Sequence, residues 1–403
     1  MSNSALRVLL LENIHPDAAS TLSSSGFEVE SVGHGIEEAA LLPRLEGVRV
    51  LGIRSGTKVT ESVLDAAPDL LAVGAFCIGT DQVDLGAASQ RGVAVFNAPF
   101  SNTRSVVELA LAEIIALTRR LTDRSTLMHR GMWDKSAGGS HEVRGRRLGI
   151  VGYGKIGSQL SVLGENLGMS IGFFDVADRL AMGNARRFET MHDLLGWADA
   201  ITLHVDGRPG NSGLFGEAEF AAMRDGAVFL NLSRGFVVDH ASLRQHIESG
   251  HLAGAAVDVF PSEPRSKAEE FVSELRGLSN VILTPHIGGS TEEAQQDIGQ
   301  FVAAKLRDYV REGSSSVSVN LPNVVLEHRP GSRRLAHIHL NVPGTLAKLN
   351  AMLASCGLNI EGQLLGTQGE VGYVLTDLGG ECREEVVDRL RQLPETIRLR
   401  VLG

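Results

Sequence analysis

The sequence predicts an α/β protein with two doubly wound parallel-sheet units and a smaller C-terminal unit of helices and antiparallel strands. Three observations carry this. A strand runs straight into a helix through regularly spaced glycines at Gly152, Gly154 and Gly157. Short apolar runs alternate with helical segments on both sides of that stretch, the pattern of parallel sheets covered on both faces. From about Arg333 the rhythm changes to strand, helix, strand, strand, helix, strand, a ferredoxin-like order. At 403 residues the chain can hold two or three domains, each with its own core.

The first unit runs to about residue 101. Apolar runs at 8–11, 48–53, 70–75 and 93–96 read as strands, and 16–25, 63–67 and 85–90 as helices. Gly26 and Gly92 stop two of those helices. A long helix is expected from Ser101, because Val106, Leu109, Ala110, Ile114, Leu117 and Leu121 recur near helical spacing. Residues 130–145, rich in Gly, Ser and charge, read as a surface connection.

The stretch from Leu148 to Asp175 organises the rest. Gly152 permits a tight turn, Gly154 lets backbone approach a pyrophosphate, and Gly157 lets the helix lie close on the strand. Lys155 and Ile156 open the helix, whose unpaired N–H groups suit an anion. The next strand ends at Asp175, a carboxylate suited to ribose hydroxyls and repulsive to a 2′-phosphate, so NAD is expected over NADP. Glycines at this spacing also occur in ordinary strand–helix turns. The flanking strand, the helix and the acid together favour a dinucleotide site.

Beyond Asp175, strands are expected at 200–204, 227–232, 253–259 and 281–284. A helix from about Ser290 to Arg311 leaves this unit and could return to the first, making the first discontinuous with a cleft between the two. In the last stretch, strand 335–341 leads into a helix opened by Pro343 and Gly344 and closed by Gly357. Strands 359–366 and 371–377 form a hairpin, and helix 383–393 and strand 397–402 complete the unit.

Three reactive side chains fall just past separate strands: Arg234, Glu263 and His286. In open α/β sheets ligands bind at that edge. Oxidising a 2-hydroxy acid needs a base near working pH, which a histidine supplies. A carboxylate on its far nitrogen would fix the tautomer, and an arginine fork would hold the substrate carboxylate. Singly, His286 could cap a turn, Glu263 could be a solvated loop acid and Arg234 a surface ion-pair member. Their coincidence at one edge favours a catalytic set.

The net charge of −10 argues against a nucleic-acid partner. Cys77, Cys356 and Cys382 show no metal spacing and read as reduced thiols. No metal is expected. With no leader or membrane span apparent, the reading is a cytoplasmic protein.

The segments Ser233-Arg-Gly, Asp258-Val-Phe-Pro-Ser-Glu-Pro264 and Thr284-Pro-His-Ile-Gly-Gly-Ser290 resemble the D-isomer-specific 2-hydroxyacid dehydrogenases. Phe76-Cys-Ile-Gly-Thr80 and Asn97-Ala-Pro-Phe-Ser-Asn-Thr-Arg-Ser105 narrow the likeness to the phosphoglycerate-oxidising branch that carries a C-terminal ACT regulatory domain. The resemblance implies two Rossmann/flavodoxin-like domains flanking a cleft, plus a ferredoxin-like ACT domain. The implied limits are 1–101 with 289–330 for substrate, 102–288 for NAD and 331–403 for regulation. It implies oxidation of 3-phosphoglycerate in serine biosynthesis, with Arg234, Glu263 and His286 in the roles above.

By the same resemblance Asp258 joins the cofactor site, and Arg54, Asn102 and Lys135 bind substrate. His337-Ile-His-Leu-Asn-Val-Pro-Gly344 and Gly357-Leu-Asn-Ile360 look like an ACT domain, with His339, Asn341 and Asn359 as contacts for serine as effector. An exposed sheet edge would then pair subunits into a homo-oligomer, a tetramer. The chain departs from the family pattern at Gly56 and His34, where cations often stand, and at Leu340 and Val342, which replace polar residues. Two alternatives stay open: another D-2-hydroxy acid such as 2-hydroxyglutarate or glyoxylate, or an NAD- and amino-acid-responsive binding protein.

Overall fold

The computed structural model describes residues 6–264, 269–327, 331–380 and 382–402. The expected boundary at residue 330 lies outside these. Contacts divide the chain into two compact units, Met1–Ser101 with Gln295–Gly403, and Asn102–Ala294.

In the first unit, β1 (Leu6–Leu10), β2 (Phe27–Ser31), β3 (Val48–Ile53), β4 (Ala72–Ala75) and β5 (Ala94–Asn97) form a parallel sheet in the order β2-β1-β3-β4-β5. Apart from Arg49, the strands β3 and β4 are apolar and buried because both their faces are covered. Val8, Leu10, Val50, Ala72 and Phe96 face one core, and Leu9, Leu51, Val73 and Val95 face another. β2 is unforeseen: its alternating Phe27-Glu-Val-Glu-Ser31 buries only Phe27, as an edge strand can.

The second unit contains β6 (Arg147–Val151), β7 (Ser170–Phe174), β8 (Arg186–Arg187), β9 (Ala200–Leu203), β10 (Ala227–Asn231), β11 (Leu252–Val257) and β12 (Val281–Leu283). Their order is β12-β11-β10-β9-β6-β7-β8, parallel throughout. The chain winds outward in both directions from the β6/β9 junction, which makes the C-terminal ends of these strands the place for a ligand. The expected long helix is broken. Helix Thr103–Thr118 ends, Arg120 takes φ +51°, and helix Leu121–His129 follows.

The 21-residue helix Glu292–Glu312 carries the chain back into the first unit. There β13 (Arg333–Leu340), β14 (Asn359–Gln368), β15 (Val371–Gly379) and β16 (Thr396–Leu402) form an antiparallel sheet in the order β14-β15-β13-β16. Period-two alternation gives this sheet two buried faces. Leu335, Val374, Leu378 and Leu399 pack under helices Thr345–Ser355 and Glu384–Arg391. Ala336, Ile338, Tyr373 and Leu375 share a core with Phe96, Leu306, Tyr309 and Val324. The Tyr373 hydroxyl donates to Gly313 O at 2.6 Å, and Arg400 lies over the Tyr309 ring at 4.2 Å. Of the two edges, β14 is largely exposed, whereas Arg398 and Arg400 on β16 donate to the carbonyls of Leu70 and Tyr309.

Candidate active site

β6 ends at Val151 and the chain turns at Gly152 with φ +93°, where a Cβ would stand 2.5 Å from His204 O. Only glycine fits there. At Gly157 a Cβ would meet Gly152 O at 2.3 Å, so the helix Lys155–Asn166 rests directly on the turn. Gly154 caps that helix without a side-chain hydrogen bond, and the space beside it is open. A helix N-terminus of this kind suits an anion. Just past β7, Asp175 accepts from Tyr153 N and Ala177 N, both at 2.8 Å, and lies 3.4 Å from Arg179 Nε. Its carboxylate is thus tied to the glycine turn. A helix start at Gly154, a turn kept narrow by Gly152 and Gly157 and an acid fixed beside it fit NAD.

Arg234, Glu263 and His286 follow β10, β11 and β12, so the sheet brings all three to the edge that bears the Gly152 turn. Each is held by buried polar neighbours. Asn231, fully buried, accepts from Ser233 N and Oγ and donates to Arg234 O at 3.0 Å, which sets the turn carrying Arg234. At Gly235 a Cβ would lie 2.0 Å from Phe260 C, so the loops after β10 and β11 touch through backbone. Asp258, 2% exposed, accepts from Thr284 Oγ1 at 2.6 Å and from Ile287 N and Gly288 N at 2.8 Å. Those bonds wrap the loop around His286, which sits between them at φ +55°. A non-glycine residue there is strained, and strain gathers at functional positions.

His286 Nδ1 lies 2.9 Å from Glu263 Oε2 and 3.1 Å from Oε1. The Glu263 hydrogen bond holds the imidazole pKa above its ordinary value, against burial and the Arg234 charge. For Glu263 burial works upward, but the His286 bond and charge, the Phe260 N–H and the Arg234 charge outweigh it and hold the carboxyl low. The pair is a histidine with one nitrogen anchored to an anion and the other left for a reacting group.

Among the substrate candidates, Asn102 is brought to the His286 loop: a Cβ on Gly289 would meet its Nδ2 at 2.1 Å. Its buried Oδ1 has no hydrogen-bond partner among the described residues. Lys135 is exposed on the irregular segment, and Arg54 stands past β3 in the other unit.

The sequence of the NAD-binding domain of the D-isomer specific 2-hydroxyacid dehydrogenases matches residues 111–288, and an ACT domain of the AHAS small-subunit type matches residues 335–398. The D-3-phosphoglycerate dehydrogenase of Haemophilus influenzae is 46% identical over 100% of this chain and 98% of its own length. That of Dictyostelium discoideum is 47% identical over 98% and 97%. The chain belongs to the D-3-phosphoglycerate dehydrogenase family. A solved glyoxylate/hydroxypyruvate reductase of Sinorhizobium meliloti superposes with TM-score 0.68 at 26% identity, over 78% of this chain and 97% of that one.

In this D-3-phosphoglycerate dehydrogenase family member, His339 and Asn359 lie on the third sheet and Asn341 just past β13, in different settings. His339, 3% exposed, has Nδ1 2.8 Å from Leu340 O, and its buried Nε2 has no partner among the described residues. Asn341 donates to Gly369 O at 3.0 Å, and Asn359 is exposed at the start of the edge strand β14.

Sequence reasoning overlooked two acidic or basic groups in the dehydrogenase unit. Glu113 is 3% exposed, and neither of its oxygens has a partner among the described residues. Burial, and then the Asp258 charge, push its pKa up to about 8. Its signal was present, since Val106, Ala110, Glu113 and Leu117 form one buried helical stripe with a single acid in it. His204, beside Gly152, is held neutral by burial at a pKa of about 3 and contacts Thr202 Oγ1 at 3.0 Å. Among the described residues, no group of three or more His, Cys, Asp or Glu could hold a metal, the three cysteines form no disulfide, and no helix is long and apolar enough to cross a membrane.

Proposed function

We propose that this chain oxidises 3-phospho-D-glycerate to 3-phosphohydroxypyruvate with NAD, the first step of L-serine biosynthesis. The observation that carries the reading is the 2.9 Å His286–Glu263 pair, at the sheet edge that also bears Arg234 and the Gly152 turn. The full-length likeness to phosphoglycerate dehydrogenases supports the substrate.

In this reading His286 Nε2 takes the proton of the C2 hydroxyl. Glu263 holds the opposite N–H and stabilises the imidazolium that forms, and Arg234 grips the substrate carboxylate. NAD, when bound, accepts the hydride from C2. Gly152, Gly154, Lys155, Ile156 and Gly157 receive its pyrophosphate, Asp175 its ribose, and Asp258 borders it while fixing the His286 loop. Arg54, Asn102 and Lys135 bind the phosphorylated end. The substrate-binding domain comprises 1–101 and 289–330, the NAD domain 102–288 and the regulatory domain 331–403.

The regulatory domain binds serine through His339, Asn341 and Asn359, and inhibits. The exposed β14 edge, which carries Asn359, pairs with a second copy and builds a homo-oligomer. The test is the initial rate of NADH formation from 3-phosphoglycerate, with the keto product removed, with and without serine. Turnover suppressed by serine is expected. Turnover indifferent to serine would remove the effector assignment, and none at all would remove the substrate. Gly56 and His34 offer fewer cations than the family pattern and favour a second reading, a less charged or dicarboxylic D-2-hydroxy acid such as 2-hydroxyglutarate. Exchanging substrates in the same assay decides.

A further inference from the structure

The loop that carries Arg54 has an unusual support. Its N–H groups converge on one carboxylate: Arg54 N and Thr57 N donate to Glu12 Oε1 at 3.2 and 2.8 Å, and Gly56 N donates to Oε2 at 2.8 Å. On the other side, Gln82 Nε2 donates to Arg54 O at 2.7 Å and reaches Gly79 O at 3.4 Å. Both backbone polar groups of Arg54 are therefore committed to side chains from distant parts of the chain.

Glu12 reaches this position through strained backbone. Just past β1, Glu12 and Asn13 take φ +65° and +53°, and two consecutive non-glycine residues in the left-handed region cost free energy. In that conformation Glu12 N donates to His34 O at 3.2 Å and Asn13 N to Val32 O at 3.3 Å. One residue thus holds the loop after β2 by its main chain and the loop after β3 by its side chain. With the Glu12 oxygens occupied by amides, the Arg54 guanidinium forms no ion pair with any carboxylate among the described residues. A carboxylate next to an arginine would ordinarily neutralise it. Here it organises the arginine's backbone and leaves the cation for an external anion.

We infer that Glu12 and Gln82 are positioning residues for anion binding: they hold the 54–57 loop so that Arg54 presents its guanidinium to the charged end of the substrate. This rests on the proposed role of Arg54. The sign of one substitution separates positioning from plain electrostatics. Glu12→Gln removes a negative charge near Arg54, so charge alone predicts tighter binding of an anionic substrate and a lower KM. Positioning predicts the reverse. The glutamine amide would face a backbone N–H donor to donor, the loop would loosen, and KM for 3-phosphoglycerate would rise about tenfold, the scale of one charge-assisted hydrogen bond.

The experiment measures KM for 3-phosphoglycerate and for NAD in the full chain for wild type, Glu12→Gln, Glu12→Asp and Gln82→Met, with amide hydrogen exchange across residues 54–57. The expected result is a KM increase for 3-phosphoglycerate larger than any loss of kcat, unchanged KM for NAD, partial rescue by Glu12→Asp, and lost protection of the Arg54, Gly56 and Thr57 amides. Gln82→Met should act in the same direction, which covers a Glu12 variant that fails to fold. A KM that is unchanged or lower would overturn the inference. Should the wild type not oxidise 3-phosphoglycerate, the proposed function falls, and the exchange data alone decide the inference: unaltered protection overturns it.

Discussion

Arg334 and Asp377 form a two-point ion pair, Nε to Oδ1 at 2.6 Å and Nη2 to Oδ2 at 2.8 Å, with both side chains 1% exposed. Further guanidinium donors reach Glu312 O, at the end of the long helix, and Glu327 O, on the segment that joins that helix to β13. Breaking a buried pair leaves an uncompensated charge, so Arg334→Met should destabilise the protein by about 3–5 kcal/mol. Arg334→Met with Asp377→Leu should cost less. Denaturant titration of the single and double variants checks the order, and a double variant no better than the single would contradict it.

The Glu263 bond to His286 predicts where activity turns on with pH. The base must be neutral to accept a proton, and its pKa is raised above the ordinary 6.5, chiefly by that bond. The acid limb of kcat/KM should therefore fall above pH 6.5 and move downward in Glu263→Gln, with turnover reduced. His286→Ala should lower turnover by about 10²-fold or more while NAD binding stays near wild type. A pH limb that ignores Glu263→Gln would detach the glutamate from the base.

Glu113 makes stability depend on pH. Its folded pKa of about 8 lies above the ordinary 4.5, so from pH 4.5 to 8 the unfolded chain ionises while the native state stays neutral. Native stability should fall as pH rises through that window, by about 5 kcal/mol at most. Glu113→Gln should remove this slope and be more stable, relative to wild type, at pH 8 than at pH 4.5. Parallel slopes for the two proteins would place the ionisation elsewhere.

Gly235→Ala tests the backbone contact between two reactive loops. The added methyl would lie 2.0 Å from Phe260 C, with no flexible side chain to yield. The loops carrying Arg234 and Glu263 must separate, so a large fall in kcat/KM with loss of thermal stability is expected. Near-normal kinetics would mean that the site tolerates that separation.

The fold was legible where burial is two-sided. β3 after Arg49, β6 after Arg147 and β10 up to Asn231 are apolar runs because those residues are buried on both faces of the sheet. β2 alternates Phe27 and Val29 with Glu28 and Glu30 on an edge, and β8 is only Arg186 and Arg187, so neither leaves a continuous apolar run. The break at Arg120 has no glycine or proline to announce it. Arg234, Glu263 and His286 could be grouped because each follows its own strand and local order alone marks the edge. Glu12 could not, because what makes it notable, the amides of 54–57, is distant in sequence; Glu113 left a local sign as the lone acid of an apolar stripe, but its neighbour Asp258 is equally distant.

The second buried face of the C-terminal sheet bears on the modular history of the chain. A truncation after the long helix would strip the cover from Phe96, Leu306 and Tyr309, leaving a greasy scar where Ile338, Tyr373 and Leu375 had been. Gaining or shedding this domain therefore cannot be a matter of splicing at the joint. A shorter relative that lives without it must have repainted that surface with polar side chains, and an engineered one would have to do the same to stay monodisperse.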